Sequence, residues 1–190
     1  MQKDPIINLT ITIIRNPIDL LYENKLFLAA ITLIFASIDT LAGLNTSEHV
    51  KYSTRNEFIY WIREYFHLGN TIIKPIEWYA TRCSILHSYS SQSSLHEQGG
   101  VRKIAWFVKS IGDEVIYKEQ ISSELIMVDL YAFQKSFYSA MDNFFIDVYK
   151  NKHDMIELVE KRLKEIYHSY DEKGIEQIGE DIKKMELENK

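Results

Sequence analysis

A single cysteine in 190 residues excludes an internal disulfide, which removes the small bridged secreted scaffolds and favours a reducing, cytoplasmic setting. Three prolines and seven glycines are too few for a low-complexity or collagen-like chain. No apolar run reaches the roughly 20 residues of a membrane span. The longest, Leu26 to Ile38, carries Thr32 and Ser37 and reads as a buried core helix, so no membrane is expected as a partner. The apolar stretch Ile6 to Ile14 lacks a small-residue cleavage site and runs into Arg15-Asn16-Pro17, which argues against a signal peptide. Histidines 49, 67, 87, 96, 153 and 168 show no paired ligand spacing, so no metal site is expected. Nor is there a glycine-rich phosphate loop, and no cofactor is read into the sequence.

Positive charge is also in deficit. Twenty-two Lys and Arg face 27 Asp and Glu, a net −5 that argues against a polyanion-binding surface over the whole protein. The balance is uneven, however. Residues 55–110 hold seven bases (Arg55, Arg63, Lys74, Arg82, Arg102, Lys103, Lys109) against four acids, a local +3.

What is abundant is apolar and aromatic: 46% hydrophobic residues and 13% Phe, Trp and Tyr. That composition orders a globule, and a chain this long buries roughly 70% of its unfolded surface without a staple. We expect a single domain over 1–190, mainly α: an antiparallel helical bundle with a small antiparallel β-sheet appendage. Ile7, Leu9, Ile11 and Ile13 alternate with polar residues, which predicts a strand. Asn16-Pro17 starts a helix that the three- and four-residue spacing carries from Ile18 to about Leu44. Further helices are expected at 54–67 and 71–88, then a polar loop over 90–100. Within 100–128, VRKIAWFVKS and EVIYKE flank Gly112-Asp113 and predict a hairpin insertion, with Ile126-Met127-Val128 as a third strand. Asp129 is placed to cap a helix of 130–149. Residues 151–190 read as a charged amphipathic helical segment with a solvated face.

The helix over 71–88 sorts into stripes. Ile72, Ile76, Tyr79, Cys83 and Leu86 predict a core face, with Trp78, Arg82, Ile85 and Tyr89 beside it. His87 follows Arg82 by five positions, about 140° around the helix. One helix is therefore not expected to bring them together, and two copies crossing in a dimer would. Cys83 and His87 suit a thiol nucleophile and its base by spacing, but the core stripe makes Cys83 inert packing instead.

Arg82, four residues, His87, one residue and Tyr89 resembles the R-x4-H-x-Y motif of HEPN-fold proteins, especially toxins paired with a minimal nucleotidyltransferase antitoxin. Asp39 resembles the acidic position that some members place near the motif arginine. The resemblance implies a helical bundle that dimerises through the motif helices and acts as a metal-independent endoribonuclease. Arg82 and His87 would be catalytic, with Asp39 and Tyr89 supporting and Tyr89 a possible AMP acceptor. It implies RNA, a second copy, and an antitoxin or other defence-system protein as partners. The chemistry is self-consistent: a neutral histidine takes the 2′-hydroxyl proton, and a guanidinium holds the charged phosphorane oxygens. Cys83 departs from the small polar residue that many active members carry after the arginine. A catalytically silent HEPN-like bundle that binds nucleotide, RNA or protein is the alternative.

Overall fold

The chain enters on a helix where its side-chain alternation predicts a strand. Residues 6, 8–48, 53–68, 72–88, 92–108, 117–122 and 124–166 are described by a computed structural model. In it, Asn8–Arg15 form a π-helix. Leu9, Thr10 and Ile14 are buried while Ile11 is exposed, whereas a strand would bury alternate residues on one face. The segment packs on the next two helices, and that demand overrides the β propensity of Ile and Thr.

The expected helix from 18 to 44 is two helices, α1 (Asn16–Glu23) and α2 (Phe27–Leu44). Pro17 sits in the first turn of α1, as expected. The break comes at Asn24-Lys25. Asn24 donates its side-chain amide to the Leu20 carbonyl, and Lys25 takes a left-handed conformation with φ 58°. The Leu26 N–H then closes on the Leu21 carbonyl at 2.8 Å. A polar pair thus interrupts an otherwise continuous helical pattern.

Helix α3 (Arg55–Tyr65) starts at Thr54 with a capping box to Glu57, and α4 spans Pro75–Ser88. The segment read as a polar loop contains a short helix, α5 (Ser94–Glu97). After the strands come α6 (Leu130–Asn151) and, beyond a 3-10 turn at His153–Met155, α7 (Ile156–Ile166). Asp129 caps α6 as expected, accepting from the Ala132 N–H at 2.9 Å. Helix α2 lies at the centre, packed against α1, α3, α4, α6 and α7. It is long and apolar enough to cross a membrane by length and composition, and half of its residues are buried in this bundle.

The sheet corrects a second expectation. Strands β1 (Lys103–Phe107), β2 (Tyr117–Ser122) and β3 (Leu125–Asp129) lie in the order β1-β3-β2. β1 runs parallel to β3, with Ile104 opposite Ile126 and Trp106 opposite Val128, and only β2 pairs antiparallel to β3. The sheet is therefore mixed rather than antiparallel, and the hairpin joins β2 to β3. The physical reason is burial: Ile126, Val128 and Asp129 are all buried, so β3 takes the central place and leaves the edges to its neighbours. Gly112-Asp113, the expected turn, lies outside the described residues. So does the amphipathic pattern beyond Ile166.

One aromatic cluster fixes the sheet to the bundle. Trp106 of β1 lies 4.8 Å from Phe133 of α6, and Trp78 of α4 stacks on the same ring at 5.5 Å and 19°. Phe66 and Phe35 close it, at 5.7 and 5.5 Å from Phe133. Such pairs contribute roughly 0.5–1.5 kcal/mol each beyond their burial. They set the roll of α4, and with it the direction of Arg82.

Candidate active site

The start of α4 is held by a buried ion pair. Glu77 is 1% exposed, yet both of its oxygens are satisfied. Arg102 donates from Nε to Oε1 at 2.7 Å and from Nη2 to Oε2 at 3.0 Å, and the Lys74 N–H donates to Oε2 at 2.7 Å. Arg102 Nη2 also donates to the Ile72 carbonyl. A carboxylate this deep survives only with such partners, and here they tie α4 to the segment leading into β1.

With Glu77 and Trp78 both turned inward, the buried face of α4 is Glu77, Trp78, Ala80, Thr81, Ser84 and Ile85. The stripe expected as core is only half-buried at Ile76, Tyr79, Cys83 and Leu86, and Ile72 is exposed. Simple apolar spacing misplaces the face because it ranks Glu77, Thr81 and Ser84 as solvent residues. Thr81 and Ser84 satisfy themselves inside the helix, donating to the Glu77 and Thr81 carbonyls at 2.8 and 2.9 Å. The roll brings Tyr79 and Cys83 to the margin of the motif.

Arg82 meets Asp39 of α2. Its Nε and Nη2 donate to Asp39 Oδ2 at 2.8 and 2.6 Å. The two side chains are 21% and 22% exposed, so the pair is partly desolvated. Burial raises the pKa of Asp39, and the hydrogen bonds and charge of Arg82 offset that only in part. Burial also works against the Arg82 charge, but the bonds to Asp39 outweigh it and hold the guanidinium above its ordinary pKa. Both directions follow from one fact: the pair is buried enough to feel the cost of charge and close enough to recover much of it.

Arg82 also meets His87. Its Nη1 lies 3.3 Å from His87 Nε2 within the same chain. The expectation that 140° of helix would separate them fails, because a guanidinium at the end of a long side chain reaches along α4 where the helix positions do not. A second copy is not needed to bring the two together. A guanidinium has no lone pair, so Nε2 is the acceptor and the proton of a neutral His87 sits on Nδ1. His87 is exposed at the end of α4. Cys83 Sγ lies 4.0 Å from Arg82 Nη1, a long and weak contact at the edge of the same cluster. Tyr89 lies outside the described residues.

The structure adds two residues that motif reading does not single out. The Cζ of Arg82 lies 5.9 Å from the centroid of the Tyr79 ring, and the Cζ of Arg55, from α3, lies 5.8 Å from the same centroid. The sequence signal for Arg55 was only its membership of the basic stretch. Tyr79 was hidden in the expected core stripe.

Other polar groups serve the frame. Tyr65 donates to Asp147 Oδ2 at 2.6 Å, and Lys152 bridges Tyr65, Asp147 and Asn45. Arg162 of α7 donates to the carbonyls of Gly43, Thr46 and Ser47 and so closes the C-terminal end of α2. An open cavity of about 530 Å³ lies beside that end, lined by Asn45, Thr46, Asn56, Tyr60 and Arg63 among others; Asp39, Arg82 and His87 are not among its walls. Among the described residues, no three His, Cys, Asp or Glu side chains gather as a metal ion would require. No family model, curated protein or solved structure matches the chain.

Proposed function

We propose that the protein is a HEPN-like, metal-independent endoribonuclease that cleaves RNA by attack of the 2′-hydroxyl on the adjacent phosphorus. The observation that carries this reading is Arg82, gripped by Asp39 and directed at His87 Nε2. A substrate phosphate is a stronger acceptor for Nη1 than a neutral imidazole. Drawn to it, Arg82 releases Nε2, and His87 takes the 2′-hydroxyl proton as the O2′–P bond forms. Arg82 holds the charge on the phosphorane oxygens. The P–O5′ bond then breaks, and His87, now protonated, gives its proton to the leaving O5′. The products are a 2′,3′-cyclic phosphate and a 5′-hydroxyl. Asp39 positions the guanidinium.

The biological setting in this reading is a cytoplasmic toxin or phage-defence effector. A homodimer through the motif helices goes with the family resemblance, and so does silencing by AMP transfer to Tyr89 from a nucleotidyltransferase antitoxin. Nucleotidyl groups there would set bulk and phosphate charge near Arg82. Sedimentation at micromolar concentration tests the dimer, and mass spectrometry after co-expression with a neighbouring nucleotidyltransferase tests Tyr89.

A catalytically silent bundle that binds nucleotide, RNA or protein is the second reading, favoured by Cys83 directly after the motif arginine. One assay separates the two. Purified protein is incubated with mixed RNAs in EDTA, beside the His87→Ala variant. Cleavage by wild type alone supports the ribonuclease; no cleavage by either protein supports the silent bundle.

A further inference from the structure

The Arg82–Asp39 pair raises a problem for any anionic ligand. Two of the three guanidinium nitrogens of Arg82 are committed to one carboxylate, and the pair is neutral as a unit. Attraction of a phosphodiester needs a cation that is not already compensated. Arg55 fits that description. It is exposed, its guanidinium shares the Tyr79 ring with Arg82, and among the described residues it forms no ion pair with an acid. The nearest acid along its helix, Glu57, is engaged by the N–H and hydroxyl of Thr54 in the capping box.

Helix energetics give no reason for an arginine at this position. Arg55 is the first residue of α3, where the positive end of the helix dipole disfavours a cation. Thr54 and Glu57 already satisfy the cap without it. Its stacking on Tyr79 contributes about 0.5–1 kcal/mol at an exposed site.

We propose that Arg55 is a second phosphate-binding residue of the Asp39–Arg82–His87 cluster, sharing the Tyr79 ring with Arg82 so that the two guanidiniums hold different phosphates of one RNA strand. The proposal rests on the ribonuclease reading for the identity of the strand. Two guanidiniums on one ring are no farther apart than the sum of their distances to its centroid, a span of one or two nucleotides in a single strand. Arg82 then serves the reacting phosphate. Arg55 takes a flanking phosphate and supplies the net positive charge that the neutralised pair lacks. The flexible backbone of single-stranded RNA suits this clamp better than a rigid duplex.

The test is binding of a short single-stranded RNA, 2′-O-methylated throughout so that it is not cleaved. Fluorescence anisotropy is read over a series of KCl concentrations, in parallel with cleavage of the unmodified RNA. Arg55→Ala is expected to weaken binding about tenfold and to reduce the salt slope by about 0.7, the share of one phosphate contact on a single strand. Arg55→Lys should recover most of the slope, and Arg55→Gln, which keeps a planar group over the ring, should not. Melting temperatures of the three variants establish that the fold is intact. If wild type binds and cleaves but Arg55→Ala matches it in affinity and slope, the clamp is wrong and the ribonuclease reading stands. If binding depends on Arg55 but unmodified RNA is not cleaved, the clamp stands and the ribonuclease reading falls. Absence of both binding and cleavage in wild type overturns both.

Discussion

Arg82 Nη1 reaches to 3.3 Å from His87 Nε2 inside one chain, so the arginine of the motif covers the basic lone pair of its histidine. The cover is removable, because a phosphate oxygen competes for Nη1. Carbethoxylation of His87 by diethyl pyrocarbonate, followed by mass spectrometry, reads this directly. Arg82→Ala is expected to speed modification of His87 several-fold, and inorganic phosphate should speed it in wild type. Equal rates in both proteins would remove the cover.

Asp39 offers a way to separate positioning from stability. Burial outweighs the pull of Arg82 on its pKa, so ionisation of Asp39 carries a cost of its own, and an Asn there keeps an oxygen to accept from Arg82 Nε and Nη2. Asp39→Asn should therefore change unfolding free energy by less than about 1 kcal/mol, while turnover falls about 10–100-fold as the guanidinium loses its fixed direction. The KM for RNA should move much less than kcat. A loss of several kcal/mol in chemical denaturation would instead make Asp39 a structural anchor.

Glu77 and Arg102 carry the opposite expectation. Glu77 is almost wholly buried, and Arg102→Ala would leave its carboxylate without its ion-pair partner. The cost should be about 3–5 kcal/mol by urea denaturation. A change under about 1 kcal/mol would show that the pair does not hold α4 to β1.

Acid stability should respond to Tyr65. Its hydroxyl, then Asn151 and Lys152, hold the Asp147 carboxyl below the usual carboxylate range, against a smaller opposing effect of burial. A depressed folded pKa gives stability that is present above the unfolded value, near pH 4, and is lost as pH falls through the folded one. The stability gap between wild type and Tyr65→Phe should thus be widest near about pH 6 and narrow below about pH 3. A gap that is flat with pH would point to packing alone.

Helices are legible wherever caps and periodicity agree. Asp129 marks the start of α6 and its cap forms, and the helix expected from residue 54 begins at the Thr54 cap. Legibility fails where tertiary packing decides. Nothing local says that Asn8–Arg15 will fold against two helices, or that β3 will enter between β1 and β2. At the site, Arg82, His87 and Asp39 were all readable as residue types, and the structure brings the three together. What could not be read was their distance, because it depends on side-chain reach and on the roll that Trp78 and Glu77 impose on α4. Arg55 is readable only as one base of the stretch 55–110, and its link to the site is not: its neighbour Tyr79 lies 24 positions away and meets it only in the packed bundle.

The most direct measurement is the chemistry of the ends left on a defined single-stranded RNA incubated with the protein in EDTA. Attack by the 2′-hydroxyl, with His87 as base and Arg82 on the phosphate, predicts 2′,3′-cyclic phosphate and 5′-hydroxyl ends. Those ends should disappear with His87→Ala and with Arg82→Lys, which loses the planar fork, and a single 2′-deoxy substitution at the cleaved linkage should abolish cutting there. Ends bearing a 5′-phosphate and a 3′-hydroxyl, or cyclic ends formed equally well by the His87→Ala protein, would contradict the account.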